Sequence, residues 1–206
     1  MKYFILLFSL VSCATTPYNY ENFRAAKPRS ILILPPVSHS TDVRATYSYL
    51  STVTMPVAEK GFYVFPVALI DQMMKENGLP SANEMHQASV KKIREIINPD
   101  AILYLTLESY GTSFIIVDSQ TTVTVSGKMI STVTGEVIWQ GRASADDGSH
   151  SSGDGVAGVL IGAVIKQAVN SSTDQAHNIA PEANNILFNN EHSGLLNEPY
   201  HPKPQI

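Results

Sequence analysis

The chain has 206 residues, 14 of them basic and 18 acidic, for a net charge of −4 at pH 7. This length allows one domain with a substantial core, and the mildly acidic balance excludes the clustered basic face that nucleic acid requires. Charged residues are 16% of the chain, below the roughly 25% usual in soluble domains; Ser, Thr and Asn supply the polarity instead, a composition that fits an envelope protein.

Lys2 precedes an apolar run from Tyr3 to Val11, followed by Ser12 and Cys13. A positive start and a short apolar core form an export signal, too short for the ~20 apolar residues that cross a bilayer. Leu10-Val11-Ser12-Cys13 resembles the bacterial lipobox. That resemblance implies removal of residues 1–12 as a signal peptide and attachment of a diacylglycerol to the Cys13 thiol, with the membrane lipid as anchor. Cys13 is the only cysteine, so no internal disulfide can form, and lipidation consumes a thiol that an oxidising compartment would attack. Ala14 rather than aspartate follows it; by resemblance to the enteric sorting rule, this implies the outer membrane.

Residues 13–29, with Pro17, Pro28 and no sustained apolar period, read as a lipidated tether. Ser30 to Pro36 is a continuous apolar run closed by two prolines, as expected of a central strand covered on both faces. A helix is expected over 45–60, a second strand over Phe62 to Pro66, and a helix over 67–77 with Leu69, Ile70, Met73 and Met74 on one stripe. One further helix runs from Asn83 or Glu84 to Ile97, ended by Asn98-Pro99-Asp100, and a third strand covers 101–107. This order implies an α/β domain with right-handed crossovers.

The second half is rich in β-branched residues. Strands are expected at 114–117, 120–125, 128–133 and 137–143, with breaks at Asp118-Ser119 and Ser126-Gly127 and a turn at Thr134-Gly135-Glu136, forming an antiparallel meander. The fold class is therefore α/β, a single domain whose mixed sheet has helices packed on it. Trp139 is expected in the core. After a polar loop, residues 156–170 read as a helix in which Gly158 and Gly162 permit close approach of another helix, within the core or between subunits. A last helix is expected over 177–190, with a fraying tail beyond Asn189. The resulting organisation is 1–12 signal peptide, 13–29 tether, 30–175 α/β domain and 176–206 C-terminal helix with a flexible tail.

The chemistry-bearing residues do not converge. The six histidines are dispersed, and His150 beside Asp146, Asp147 and Asp154 matches no calcium loop. No Gly-x-Ser-x-Gly elbow is present. Gly153 to Gly158 has glycines at dinucleotide-fingerprint spacing but follows a polar loop rather than the first buried strand. Asp100 and Glu108 stand at opposite ends of one strand. No catalytic residue, metal or cofactor is expected. Tyr47 and Tyr49, near the proline-marked end of the first strand, are candidates either for an interface or for packing on the sheet.

Cys13, the Ser30–Pro36 strand, Gly61-Phe62-Tyr63-Val64-Phe65-Pro66, Asn98-Pro99-Asp100-Ala101 and Thr134-Gly135-Glu136-Val137-Ile138-Trp139 resemble a lipoprotein family of unknown function first described in Neisseria envelope proteins. The element order and the Gly-Glu-x-x-Trp hairpin are also similar to a broader group: the amino-terminal domain of the Tol translocation protein TolB, the penicillin-binding-protein activator lipoproteins and the curli-secretion lipoproteins. The resemblance implies a TolB amino-terminal-like fold. It also implies a non-enzymatic outer-membrane lipoprotein acting as an accessory or scaffold in an envelope assembly or transport complex. Its partners would be envelope proteins, among them a curli-secretion-type lipoprotein, or further copies of itself. A small-ligand-binding lipoprotein and an envelope hydrolase are the alternatives.

Overall fold

The structure, a computed structural model, describes residues 17–115, 118–147 and 174–203. Its first strand, β1 (Ser30–Ile33), lies between two parallel neighbours, β3 (Tyr63–Val64) and β4 (Ala101–Ile115). The connection from β1 to β3 carries α2 (Ala45–Glu59). The connection from β3 to β4, which passes β1 in the opposite direction, carries α3 (Val67–Glu76), α4 (Ala82–Gln87) and α5 (Val90–Ile96). Two connections of one hand running in opposite directions must lie on opposite faces, which is why β1 is apolar and buried at every position after Ser30. Ile31 and Ile33 join the cluster under α2, and Leu32 and Leu34 join the one under α3, α4 and α5.

The starts of β1 and β4 are pinned together by Asp100. Its Oδ2 accepts from the backbone N–H of Arg29 (3.0 Å) and Ser30 (2.9 Å) and from the Ser30 hydroxyl (2.9 Å). A two-residue strand, β2 (Val37–Ser38), then pairs in parallel with Thr106 and Leu107 of β4. Beyond that point β4 turns back as β5 (Asp118–Ser131), which pairs antiparallel with β6 (Val137–Asp146). The sheet order is β3-β1-β4-β5-β6, a mixed sheet with helices on it, as the sequence reading expected.

The last helix, α6 (Gln175–Asn189), lies across β5 and β6 beside α2. Ala176, Ala180 and Ala183 are buried on its inner face, and their small side chains let the helix approach the sheet closely. Asn184 is buried between the two helices with both ends of its amide engaged: Oδ1 accepts from the Tyr49 hydroxyl at 2.5 Å and Nδ2 donates to Thr52 Oγ1 at 2.9 Å. Trp139 on β6 is fully buried, stacks on Phe188 at 5.7 Å between ring centroids, and donates its indole N–H to the Ser193 carbonyl at 3.0 Å. Gly127 and Gly141 are direct partners across β5 and β6 and leave room for that ring. A Cβ at Gly127 would stand 3.1 Å, and one at Gly141 2.9 Å, from indole carbons.

The structure differs from the sequence reading in several places. Neither Asp118-Ser119 nor Ser126-Gly127 is a break: β5 begins at Asp118 and runs through both, and β4 and β5 are single strands of 15 and 14 residues. The irregularity is a bulge at Glu108, between Leu107 and Ser109. The single helix expected up to Ile97 is two helices, because Ala88 and Ser89 take extended backbone. Ser89 takes the N-cap position of α5 with extended backbone and without a side-chain cap; serine is a poor residue for continuing a helix interior.

The tether expected over 13–29 is docked from Pro17 onward. It contains a short helix, α1 (Glu21–Ala26), whose Phe23 is buried edge-to-face against Phe62. Finally, the tail does not fray at Asn189. Leu195 is buried and donates its N–H to the Phe188 carbonyl, and Glu198 packs against the Lys60 backbone and Arg29. Residues 1–12, Cys13, His150 and the 156–170 segment with Gly158 and Gly162 lie outside the described residues.

The close fit around the indole generates a stability prediction. Gly141→Ala places a methyl against Trp139 and Leu187; such overpacking costs about 1–3 kcal/mol. Thermal unfolding should show a lowered Tm with the native circular dichroism spectrum retained, and an unchanged Tm would contradict the fit described.

Candidate functional site

Sheets of this strand order bind ligands outside the carboxyl ends of the strands, where successive connections diverge. Here that point lies between β1 and β4, and the chain itself fills it. The Leu34 N–H donates to the Leu103 carbonyl (3.2 Å), Val37 and Ser38 pair with β4, and the His39 N–H donates to the Leu107 carbonyl (2.9 Å). The usual nucleotide crevice is thus closed by β2.

Beyond it lies a polar cavity of about 460 Å³ lined by His39, Asp42, Arg44, Glu108, Tyr110 and Asp174, among others. Two of its lining residues, Tyr110 and Asp174, reach a cluster in which a serine, a histidine and an aspartate meet. Ser48 Oγ donates to Asp174 Oδ2 at 2.5 Å and lies 2.5 Å from the Tyr110 hydroxyl and 3.1 Å from His177 Nδ1. The composition is that of a hydrolase, but the connections are not. A catalytic histidine stands between the serine and the carboxylate and accepts the serine proton. Here the aspartate takes the serine directly. His177 Nδ1 also faces the Ser48 carbonyl at 3.3 Å, a contact that the Nδ1–H tautomer makes, and in that tautomer this nitrogen has no lone pair for a serine proton. Asp174 is the N-cap of α6, its Oδ1 accepting the His177 backbone N–H at 3.2 Å. The cluster ties α6 to α2 and β4. Burial, with Asp174 nearby, pushes the Tyr110 phenol up to about 12.

The larger concavity, about 780 Å³, lies on the sheet face that α3, α4 and α5 cover only in part. These helices pack over β1 and the start of β4, leaving the outer strands open. Tyr104 and Thr106 of β4, Ser126 and Lys128 of β5, and Gln140 and Arg142 of β6 line the groove, with Tyr18 at its rim. His86 closes its inner end. Its Nε2 donates to the Pro35 carbonyl at 2.9 Å, and its ring stands edge-on to Tyr104 with centroids 5.2 Å apart. Burial first, and the Lys128 charge after it, lower the His86 pKa, while burial raises that of Tyr104. Lys128 Nζ lies 5.7 Å from the Tyr104 ring centroid. Arg142 grips Glu108 with two nitrogens, Nε at 3.0 and 3.1 Å and a terminal nitrogen at 2.5 Å, and this hydrogen bonding holds the Glu108 carboxyl below its ordinary value. Among the described residues no group of three His, Cys, Asp or Glu side chains could hold a metal ion.

The family described as "Putative lipoprotein GNA1162-like" matches residues 18–200. The chain belongs to this family. Over 183 residues, 88% of the chain and 85% of the relative, it is 38% identical to "Putative lipoprotein NMB1124/NMB1162" of Neisseria meningitidis serogroup B. The crystal structure of lipoprotein GNA1162 from N. meningitidis superposes with a TM-score of 0.55 at 37% identity, covering 64% of this chain and 89% of that one. A dodecameric PelC from Paraburkholderia phytofirmans has a TM-score of 0.43 at 11% identity, over 77% of this chain and 84% of that one. The family resemblance seen in the strand, hairpin and Asn-Pro-Asp elements is thereby borne out.

In this member of the family the two candidate tyrosines separate. Tyr49 is 0% exposed and belongs to the core between α2 and α6, so it is not an interface anchor. Tyr47 is 47% exposed, donates to Asp71 Oδ1 at 3.2 Å, and has Lys75 Nζ 4.8 Å from its ring centroid. Their two-residue spacing on a helix turns them to different sides. The groove was missed, although its signal is in the chain: Tyr104-x-Thr106, Ser126-x-Lys128 and Gln140-x-Arg142 alternate with apolar or glycine positions, the period of a strand open on one face.

The groove wall carries a titration prediction. Followed by NMR, His86 should titrate below the usual imidazole value of about 6.5. Because the folded value is depressed, the neutral ring contributes stability that is fully present above the unfolded value. That stability is lost as pH falls through the folded one. A midpoint above 6.5 would contradict the burial of this ring.

Proposed function

We propose that this protein is a non-catalytic accessory lipoprotein of the outer membrane, a scaffold that works by protein contact in an envelope assembly or transport complex. The observation that carries this reading is the wiring of Ser48, Asp174 and His177. This meeting of a serine, a histidine and an aspartate is taken up in tying α6 to α2, with Asp174 as the N-cap of α6. Membership of a lipoprotein family and the position of Cys13 behind an apolar run support the anchor. Ala14 supports the outer membrane. Tyr47, half-exposed where α2 meets α3, is the contact residue we assign to a partner protein, since a tyrosine held by Asp71 and Lys75 loses little freedom on binding. The family resemblance points to a curli-secretion-type lipoprotein as one such partner. Gly158 and Gly162 are the assigned self-association positions.

The test uses the acylated protein in native envelopes with a photo-crosslinking residue in place of Tyr47. A defined envelope protein should crosslink there and not from position 182 on α6. Tyr47→Ser should weaken that association several-fold with circular dichroism unchanged, and Cys13→Ser should take up no labelled palmitate. Turnover of a substrate that is lost in Ser48→Ala would overturn the non-catalytic reading, and unaltered association in Tyr47→Ser would remove this surface.

A further inference from the structure

The segment between the anchor and the body does not behave as a free leash. The Tyr18 hydroxyl accepts the Gln140 N–H at 2.8 Å on the outer edge of β6, and the Asn22 side chain reaches the Val137 carbonyl on the same strand. Tyr18 packs on Tyr20 at 4.6 Å between centroids, and the Tyr20 hydroxyl donates to the Gly194 carbonyl at 2.5 Å. The chain therefore leaves the body at the rim of the open groove, which Tyr18 itself lines. Five residue steps separate Tyr18 from Cys13, at most about 17 Å of extended chain.

We propose that the docked segment beginning at Pro17 seats the protein on the membrane with its open β4–β5–β6 face turned to the lipid headgroups. The proposal rests on the reading of Cys13 as the lipidated residue. Reaching the membrane with the opposite face, covered by α6, would mean spanning the sheet-to-helix spacing and the helix itself, roughly 15 Å, which uses nearly the whole leash. The groove side needs almost none of it. The chemistry of the open face agrees. Lys128 offers an ammonium to lipid phosphates on a stem laid beside Tyr104. Tyr18, half-buried at the rim, offers a ring with a polar tip, the kind of side chain favoured at headgroup depth, while Tyr104 stays buried beneath Lys128. The Arg142 charge is met by Glu108, so the face carries attraction from Lys128 without a dense basic cluster.

The experiment exploits the single cysteine. In the acylated chain the Cys13 thiol is occupied, so an introduced cysteine is the only one free to take a fluorophore. Gln140→Cys, in the groove, and Glu182→Cys, on the exposed side of α6, are labelled in the full acylated protein. Each is bound to phosphatidylethanolamine–phosphatidylglycerol vesicles carrying a headgroup spin label. Quenching should be several-fold stronger at 140 than at 182. Replacing Tyr18 and Tyr20 together by alanine should bring the two values together while the protein stays on the vesicles. Equal quenching in the unaltered chain, or stronger quenching at 182, overturns the orientation in a protein whose mass shows the lipid. A chain that neither carries lipid by mass nor floats with vesicles overturns it together with the lipidation reading, and the mass tells the two failures apart.

Discussion

The indole of Trp139, laid across the paired glycines Gly127 and Gly141, is the contact on which the outer half of the molecule depends. A side chain at either glycine would hold the ring off the sheet, and α6 would lose the flat apolar surface that Phe188 stacks on. The indole N–H also holds the Ser193 carbonyl. The next residue, Gly194, has no room for a Cβ between the backbone oxygens of Phe188 and Asn190, and its own carbonyl receives the Tyr20 hydroxyl. Tyr20 packs on Tyr18, and Tyr18 returns to β6 at Gln140. The segments at Tyr18–Tyr20 and Ser193–Gly194 are thus closed into one ring of contacts on the edge strand. That ring also covers part of the edge, where unpaired backbone groups would otherwise invite another strand.

The two sheet faces are covered unequally, and the surface properties follow. On one side α2 and α6 cover the sheet from β1 to β6. On the other, three short helices cover β1 and the start of β4, and the rest is left polar: Thr106, Ser126, Lys128, Gln140 and Arg142. Asp100 fixes the inner strands at one end and β2 fills the crevice at the other. The fold retains the α/β framework while filling with its own chain the crevice at which such sheets commonly bind ligands.

Much of the inner sheet was legible because burial on both faces forces an unbroken apolar run. Ile31 to Leu34 could be read as a central strand, and of the expected stripe Leu69, Ile70, Met73 and Met74, Ile70 and Met74 are buried and Met73 partly so, whereas Leu69 turns outward at 62% exposure. Trp139 in the core was equally legible. Gly127 was misread because a glycine in a strand looks the same whether it breaks the ladder or makes room for a ring; only the indole twelve residues later distinguishes the two. The split at Ala88-Ser89 was hidden by apolar residues whose helical spacing continues across it. The docking of residues 17–29 and 190–203 was missed for a different reason. Each segment is polar on average, and its hold on the body comes from a few groups, Tyr18, Tyr20, Phe23 and Leu195, whose partners lie more than 100 residues away or in Phe62 and Phe188. The groove was written as three polar-x-polar pairs on strands far apart in sequence, and the Ser48–Asp174–His177 meeting spans 129 residues.

The central claim is that the segment after the anchor is part of the folded body. It is tested most directly by comparing two soluble chains, one beginning at residue 17 and one at residue 30, by thermal unfolding. The longer chain retains Phe23 on Phe62 and the two tyrosines; the shorter loses a buried aromatic, worth about 3–5 kcal/mol on truncation, and with it the contacts on β6. The account predicts a clearly lower Tm for the chain beginning at residue 30, and two coincident unfolding curves would contradict it.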